Sequence, residues 1–423
     1  MGMEILALNC GSSSVKYQLF DWEKKEVVAK GMVERVTVGG SFIIHEVAGR
    51  ETHKESLDCP DHRTAIHYII KALTDPVHGV VTDMSQISAV GHRVVHGGEK
   101  FTRSVLIDED VLAAIREVQH LAPLHNPPNI AGIEAARAVL PNVPHVAIFD
   151  TAFHQTMPRH AYTYPLPYEW YEKYGVRRYG FHGTSHLYVS KRAAVLLGKD
   201  PKECKLVTMH IGNGVSHSAI KNGVSMDTSM GLTPLEGAMM GTRCGDIDPA
   251  IPAFIMELEG CTPKEIDAVL NKKSGVLGIT GQYTDRRDVI EGAQGGCERC
   301  ALSLDIESYR LKKYIGTYAA AIGGLDAVVF TGGVGELGWS IREKALEGLE
   351  FMGILLDKEK NRNTMTRTHE SVITTPDSPV KVFVIPTDEE RVFTEDVVGI
   401  LEGTYQDHMK FSYTFSDASY VAQ

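Results

Sequence analysis

Leu6-Ala-Leu-Asn-Cys-Gly-Ser-Ser-Ser-Val-Lys16 is the stretch on which the reading of this chain turns. Residues 5–8 are an apolar run that reads as a buried strand, 9–14 as a tight polar turn, and 15–20 as the returning strand of a hairpin. Gly11 lets backbone come close to a ligand, and the hydroxyls and amides of Ser12, Ser13 and Ser14 can donate to anionic oxygens. Lys16 adds a point charge. Taken alone, the stretch is equally a Ser-rich surface turn.

An echo in the second half of the chain changes that balance. Val207-Thr-Met-His-Ile-Gly-Asn-Gly-Val-Ser-His217 repeats the layout, with Asn9 aligned to His210, Gly11 to Gly212 and Ser12 to Asn213. A third glycine loop, Thr331-Gly-Gly-Val-Gly-Glu336, follows a strand at 326–330. Two similar hairpins imply a duplicated domain, and three strand-then-glycine loops imply several backbone cradles for phosphate. Together they favour a phosphate-handling enzyme with its site between two halves.

The chain has 423 residues, enough for two or three domains with ample core. A net charge of −11 argues against nucleic acid or an anionic membrane as the main partner. An anionic substrate then needs locally placed cations, so each arginine in a glycine-rich loop is informative. No apolar run reaches the ~18 residues of a spanning helix, and the N-terminus lacks a signal-peptide layout. The seven cysteines are scattered, as expected for free thiols in a reducing cytoplasm. Cys297 and Cys300 have CxxC spacing but no second pair, which favours free thiols over zinc or redox use.

Along the chain, 26–34 and 41–46 read as further strands, 61–73 as a helix with Ile66, Ile69, Ile70 and Leu73 on one face, and 87–95 as a strand. That strand contains Gly91-His-Arg-Val-Val-His-Gly-Gly98. An arginine inside an apolar strand is costly unless paired, so Arg93 is either a structural ion pair or an anion clamp. A helix capped by Asp108 and a second helix at 130–140 flank a Pro-rich connector holding His125, which by itself reads as structural or exposed. Strand 143–149 ends in Asp150, the usual place for metal or base chemistry in an α/β sheet, or else a simple cap. The Tyr- and Pro-rich stretch to Tyr179 reads as a long connection.

Arg178-Tyr-Gly-Phe-His-Gly-Thr-Ser-His186 precedes a helix expected at 187–197, capped by Thr184 or Ser185, with His182 near its positive end. The long loop 230–248 carries a single arginine, Arg243, between Gly241 and Gly245. Thr262-Pro-Lys-Glu265 is a capping box, read as structural. Residues 284–288 open another helix, and 301–323 form a long one that leads into the third loop.

These motifs, in this order, resemble the acetate kinase family over residues 4–403. The carriers are Asn9-x-Gly-Ser-Ser-Ser-x-Lys16, Gly91–Gly98, Phe181-His-Gly-Thr-Ser-His186, His210-Ile-Gly-Asn-Gly214, Gly241-Thr-Arg-Cys-Gly-Asp246 and Gly332-Gly-Val-Gly-Glu336. The resemblance implies an α/β fold of two duplicated actin-like (ribonuclease H-like) domains around a central nucleotide cleft. It implies an N-terminal domain at 1–150 completed by a helix at 386–403, a C-terminal domain at 151–385 that binds nucleotide and dimerises, and a tail at 404–423 beyond the likeness. The implied reaction is reversible phosphoryl transfer between ATP and acetate, giving acetyl phosphate and ADP with Mg2+ or Mn2+, in a cytoplasmic homodimer.

Carried over by motif, Arg93 and Arg243 hold the carboxylate and the moving phosphoryl group, His182 supports its equatorial oxygens and Asn213 positions the phosphates. Asp150 and Glu389 act around the metal, with Asn9 as a further metal contact and Ser12 and Lys16 toward the nucleotide phosphates. His210, Ile211, Gly212 and Gly214 join the phosphate loop. Asp285, Arg286, Arg287, Gly332, Gly333, Val334 and Gly335 frame the adenosine. Val95, Leu124, His125, Phe181 and Pro234 resemble the acetate pocket. In the third loop the chain departs from the family, having Leu337-Gly338 after Glu336 where Asn is common.

The chemistry of these residue types agrees. A carboxylate acceptor is already ionised at neutral pH, so the task is to bring two anions together and support charge during transfer, which arginine forks and a histidine donor suit. Two rivals come from other classes. Gly333-Val-Gly-Glu-Leu-Gly338 matches a dinucleotide fingerprint with Asp357 downstream, but too little chain follows for a second half of that fold. A nucleotide-binding regulator is opposed by the lack of a basic arm or helix-turn-helix. Between acetate and propionate, Val95 and Pro234 favour acetate, although one methylene discriminates only weakly.

Overall fold

The computed structural model describes residues 2–123 and 125–421. It divides into two compact units: residues up to Phe153 together with Asp388–Thr414, and His154–Thr387 together with residues 415–421.

The first unit is built on an eight-stranded sheet in the order β5-β4-β3-β2-β1-β6-β8-β7. Its strands are β1 (Glu4–Cys10), β2 (Ser14–Asp21), β3 (Glu26–Glu34), β4 (Ser41–Val47), β5 (His53–Leu57), β6 (Ile87–Val94), β7 (Val105–Leu106) and β8 (His145–Phe149). The expected first hairpin is present, with Cys10 opposite Val15 and Glu4 opposite Asp21. On the other side β1 pairs in parallel with β6, and β6 with β8.

Because side chains alternate across a strand, β1 feeds two cores. Leu6 and Leu8 pack with Ile66 and Ile69 of the helix His62–Leu73 and with Ala135 and Ala136 of the helix Asn126–Val139. Ile5 and Ala7 face the other way, onto Phe393, Val397 and Val398 of the helix Glu389–Leu401. A strand buried on both faces reads as a continuous apolar run, which is why residues 5–8 show no alternation.

Among its described residues the tail adds no strand. In the first unit it docks by its aromatics: Tyr413 donates to Asp396 Oδ1 at 2.6 Å. Phe411 lies so close to Gly399 that a Cβ there would be 2.7 Å from its ring.

The second unit repeats the plan with β9 (Lys205–Ile211), β10 (Val215–Lys221), β11 (Val224–Thr228), β12 (Ala327–Thr331), β13 (Ser371–Val372) and β14 (Lys381–Val384), ordered β11-β10-β9-β12-β14-β13. The run β11-β10-β9 is antiparallel, then β12 and β14 continue in parallel. The run β3-β2-β1-β6-β8 of the first unit is built identically. This is the duplicated α/β architecture expected from the paired hairpins, on the actin-like plan that the family resemblance implies.

Three local expectations are corrected. The Tyr- and Pro-rich connection contains short helices, Arg159–Tyr162 and Tyr168–Tyr174. The helix expected at 187–197 begins earlier, at Gly183–Leu197, so Thr184 and Ser185 lie in its first turn and His182 takes the capping position. The third glycine loop winds directly into a short helix, Gly332–Leu337. Glycine is a poor helix former, so the stretch carries no helical signal of its own, and a single positive φ at Gly332 is what lets the turn begin. The rival dinucleotide reading loses its acidic residue too, since Asp357 caps the helix Lys358–Asn363.

All seven cysteines are free thiols, and Cys297 caps the helix Glu298–Ile322. Among the described residues, no helix is long and apolar enough to cross a membrane.

Candidate active site

The predicted residues fall into two groups, one in each unit. In the first unit the turn after β1 is held from three sides. Gly11 donates its amide to Ser14 O at 2.8 Å, His62 Nε2 lies 2.6 Å from Gly11 O, and Asn129 donates to Cys10 O at 2.7 Å. Ser12 and Lys16 remain exposed on this rigid turn. The same Asn129 accepts from the Val95 amide at 3.0 Å, which ties the turn to the end of β6.

Arg93, near the end of β6, and Asp150, just past β8, are brought together because the two strands are parallel neighbours. Arg93 donates through Nε to Oδ1 at 2.9 Å and through Nη2 to Oδ2 at 2.7 Å, and through Nη1 to Asn9 Oδ1 at 3.4 Å. Burial works against the guanidinium charge, but Asp150 more than offsets it and raises its pKa. Of the two alternatives for Arg93 the ion pair is present, and the side chain also remains partly open at the strand end.

Glu389 opens the helix Glu389–Leu401 between Asp388 and Glu390. Burial raises Asp388, and burial with repulsion from Glu389 and Asp388 pushes Glu390 up to about 7. The repulsion within this group is eased by Arg391 near Asp388 and by Lys16 near Glu390. Among the described residues, no three His, Cys, Asp or Glu side chains form a metal cage. That donor set suits Mg2+, which takes one or two carboxylates and completes its octahedron with water and phosphate oxygens. Asp150 accepts from Arg93 through both oxygens and Asn9 through its one, so these oxygens and the Glu389 carboxylate are the groups that could hold such an ion.

In the second unit His182 has φ 55, a left-handed backbone that a non-glycine residue adopts only where its surroundings impose it. It stacks on His210 at 4.2 Å between ring centroids, and its Nδ1 lies 2.7 Å from Ser216 Oγ. Ser185 Oγ is 2.8 Å from His210 Nδ1. Gly214 brings the group together. A Cβ there would lie 3.6 Å from both His182 Nε2 and Arg243 Nη1. Asn213 lies over Gly241, where a Cβ would be 1.9 Å from its Oδ1.

Arg243 contrasts with Arg93. Its Nη1 donates to Pro234 O at 2.9 Å and approaches Met240 Sδ at 3.6 Å, and among the described residues no carboxylate pairs with it. Burial alone lowers its pKa. A largely buried cation without an acidic partner is costly unless an anionic ligand supplies the charge.

The nucleotide candidates divide. Arg286 is committed to buried Glu307, at 2.9 Å, and Arg287 to Asp285, which also caps the helix Arg286–Gln294. Gly332–Gly335 form the first turn of their helix, and Gly332 donates to buried Glu336 at 3.0 Å. The structure shows Phe181 buried and Pro234 half-buried in the second unit, and Val95 buried and His125 half-buried in the first; Leu124 lies outside the described residues. Sequence reasoning missed Ser216, Glu336 and Glu390. Ser216 lay inside the quoted second hairpin, but its role depends on a partner far along the chain.

The acetokinase family profile matches residues 4–395. The chain is 76% identical over 419 residues to the acetate kinase of Geobacter sulfurreducens, covering 99% of this chain and 100% of that one. Among solved structures it is similar to the Porphyromonas gingivalis acetate kinase, with TM-score 0.90 and 49% identity over 94% of this chain and 100% of that one. A propionate kinase from Francisella tularensis follows at TM-score 0.86 and 40% identity, covering 93% and 98%.

Proposed function

This chain belongs to the acetokinase family, and on that premise we propose that it is an acetate kinase, a phosphotransferase that moves the γ-phosphoryl group of ATP onto acetate and back. The observation that carries the reading is Arg243, a part-buried cation with no carboxylate partner among the described residues, standing beside His182 at the glycine-lined turn after β9.

The acetate carboxylate is the nucleophile and needs no base at neutral pH. Arg93, fixed by Asp150, is assigned to one anion through its remaining donor edge and Arg243 to another, and each lowers the electrostatic cost of holding its own negative group. His182 donates to the equatorial oxygens as charge builds on the phosphoryl group. Asn213 and the backbone of Gly212 and Gly214 orient the phosphates, with Ser12, Lys16, His210 and Ile211 around them. Asp285, Arg287 and the turn Gly332–Gly335 frame the nucleoside, while Arg286 acts by holding that helix on Glu307. Val95 and His125 of the first unit, and Phe181 and Pro234 of the second, are each assigned to acetate.

Mg2+, or Mn2+ in its place, would be held by Glu389 and Asn9 with Asp150 behind them, and when bound it neutralises the phosphate oxygens. Seven free thiols support a cytoplasmic setting. A homodimer is supported by the helix Ile251–Glu259, which buries none of its residues and exposes Ile251, Phe254 and Leu258.

The test is ATP- and Mg2+-dependent acyl phosphate formation, trapped with hydroxylamine, on acetate, propionate and butyrate in parallel. The expected result is the highest kcat/KM on acetate. A propionate optimum, as the name of the Francisella neighbour admits, would keep the mechanism and overturn the pocket. No acyl phosphate from any of the three would overturn the reading.

A further inference from the structure

Four side chains of the second unit form a hydrogen-bonded line that ends on His182. Thr208 Oγ1 lies 2.7 Å from His186 Nδ1, His186 Nε2 lies 2.8 Å from Ser216 Oγ, and Ser216 Oγ lies 2.7 Å from His182 Nδ1. Thr208, His186 and Ser216 are fully buried. We propose that this line is a proton-ordering relay that holds His182 as the neutral Nε2–H tautomer, so that a hydrogen-bond donor points at the transferring phosphoryl group. Thr208, His186 and Ser216 are then positioning residues. The inference rests on the phosphotransferase reading and specifies how its histidine works.

Counting protons gives the direction of the line. Among the described residues the Thr208 hydroxyl has one side-chain partner, His186 Nδ1, and in a buried site its proton must go there. Burial keeps His186 neutral, holding its pKa well below the ordinary histidine value. A neutral imidazole with Nδ1 accepting carries its hydrogen on Nε2, and so donates to Ser216 Oγ. Ser216 then directs its own proton to His182 Nδ1, and His182 carries hydrogen on Nε2.

The reverse polarity leaves the Thr208 proton without an acceptor. An imidazolium at His182 does the same to the Ser216 proton, because Nδ1–H would displace it. A neutral donor is also what the neighbourhood favours. His182 Nε2 and Arg243 Nη1 would both contact a Cβ at Gly214, so a second full charge there would repel the first.

The remote end of the relay provides the test, because two residues, His186 and Ser216, separate Thr208 from the reacting histidine. Thr208→Val keeps the volume and removes the hydroxyl; Thr208→Ser keeps the hydroxyl and removes a methyl. The relay predicts that the Val variant loses about tenfold or more in kcat, with KM for ATP and acetate nearly unchanged, while the Ser variant keeps most of its turnover. Packing alone predicts the opposite order, and that order would overturn the relay.

A second readout needs no activity. In 15N-histidine-labelled wild-type protein, the His182 signal, assigned by its loss in His182→Gln, should show hydrogen on Nε2 and a bare Nδ1 at neutral pH. An Nδ1–H or doubly protonated ring overturns the proposal. Wild-type protein that forms no acyl phosphate overturns the functional reading instead, and the tautomer measurement separates that failure from a failure of the relay.

Discussion

Arg93 and Asp150 lock together through two parallel hydrogen bonds, at 2.9 and 2.7 Å, across the neighbouring ends of two parallel strands. The carboxylate is buried, and it holds the arginine fork in one orientation. Removing either partner therefore has two consequences. Arg93→Ala lowers acyl phosphate formation by at least about a hundredfold, as for a lost electrostatic stabiliser. It also leaves Asp150 uncompensated and costs about 3 kcal/mol, visible as a lower denaturation midpoint. Arg93→Lys restores charge but cannot make the two-bond fork, and it recovers stability better than rate.

Arg243 separates the two effects. It has no acidic partner among the described residues, and burial already disfavours its charge. Arg243→Met removes that cost, so the folded protein is as stable as wild type or more so. Turnover nevertheless falls at least about a hundredfold. Thermal denaturation and the hydroxylamine assay on the same preparation check both halves. Substantial destabilisation would mean that Arg243 serves the fold rather than the substrate.

Gly214 needs no special backbone, since its φ is not positive. A methyl group there would meet His182 Cε1 at 3.5 Å and Arg243 Nη1 at 3.6 Å, ordinary contact distances. Gly214→Ala should therefore fold with little change in stability. The added group occupies the space between the two residues assigned to the phosphoryl oxygens, and kcat should drop about tenfold or more. Near wild-type kcat would show that the phosphoryl group does not pass there.

The hairpins were legible because each is a local pattern: an apolar run, a polar glycine turn and a second run within about twenty residues. Arg93 stood out for an equally local reason, a cation in an apolar strand. Its partner did not, because Asp150 is joined to it only by the parallel pairing of β6 with β8. The same holds for Ser216 beneath His182 and Glu336 beneath Gly332. Edge strands such as β5 and β13 were missed because exposed, polar strands carry no hydrophobic signal. The start of the helix at Gly183 was missed because Thr184 and Ser185 imitate caps, whereas His182 in a left-handed conformation takes that place.

Asp396 gives a pH prediction with a definite sign. It is buried on the helix Glu389–Leu401, where it accepts from Ser104 Oγ and from Tyr413 OH, each at 2.6 Å. Burial pushes its pKa up to about 7, despite these donors. A carboxyl whose folded pKa exceeds its unfolded value binds the proton more tightly when folded, so its contribution favours folding at low pH. That contribution is lost as pH rises from the unfolded value near 4 through about 7. Asp396→Asn cannot ionise. The stability difference between wild type and Asp396→Asn should therefore move steadily against wild type from pH 5 to pH 8. Denaturation midpoints of both proteins across that range would check it, and a difference that stays constant would mean Asp396 is ionised throughout.

The helix Ile251–Glu259 yields the last prediction. It exposes Phe254 and Leu258 at 59% and 66%, with Ile251 on the same helix at 42%, and buries no residue of its own. Phe254 and Leu258 are four apart, so they share one face and form an apolar stripe on the second unit. Single exposed apolar residues are ordinary, but a stripe of large ones on one helix is the kind of surface the proposed homodimer would cover. In a twofold dimer the same face meets itself, and a charge placed there opposes its own copy. Phe254→Asp with Leu258→Asp should thus shift the protein from dimer to monomer in light scattering at micromolar concentration, while the fold of each unit, read by circular dichroism, is kept. A double variant that stays dimeric would place the interface elsewhere.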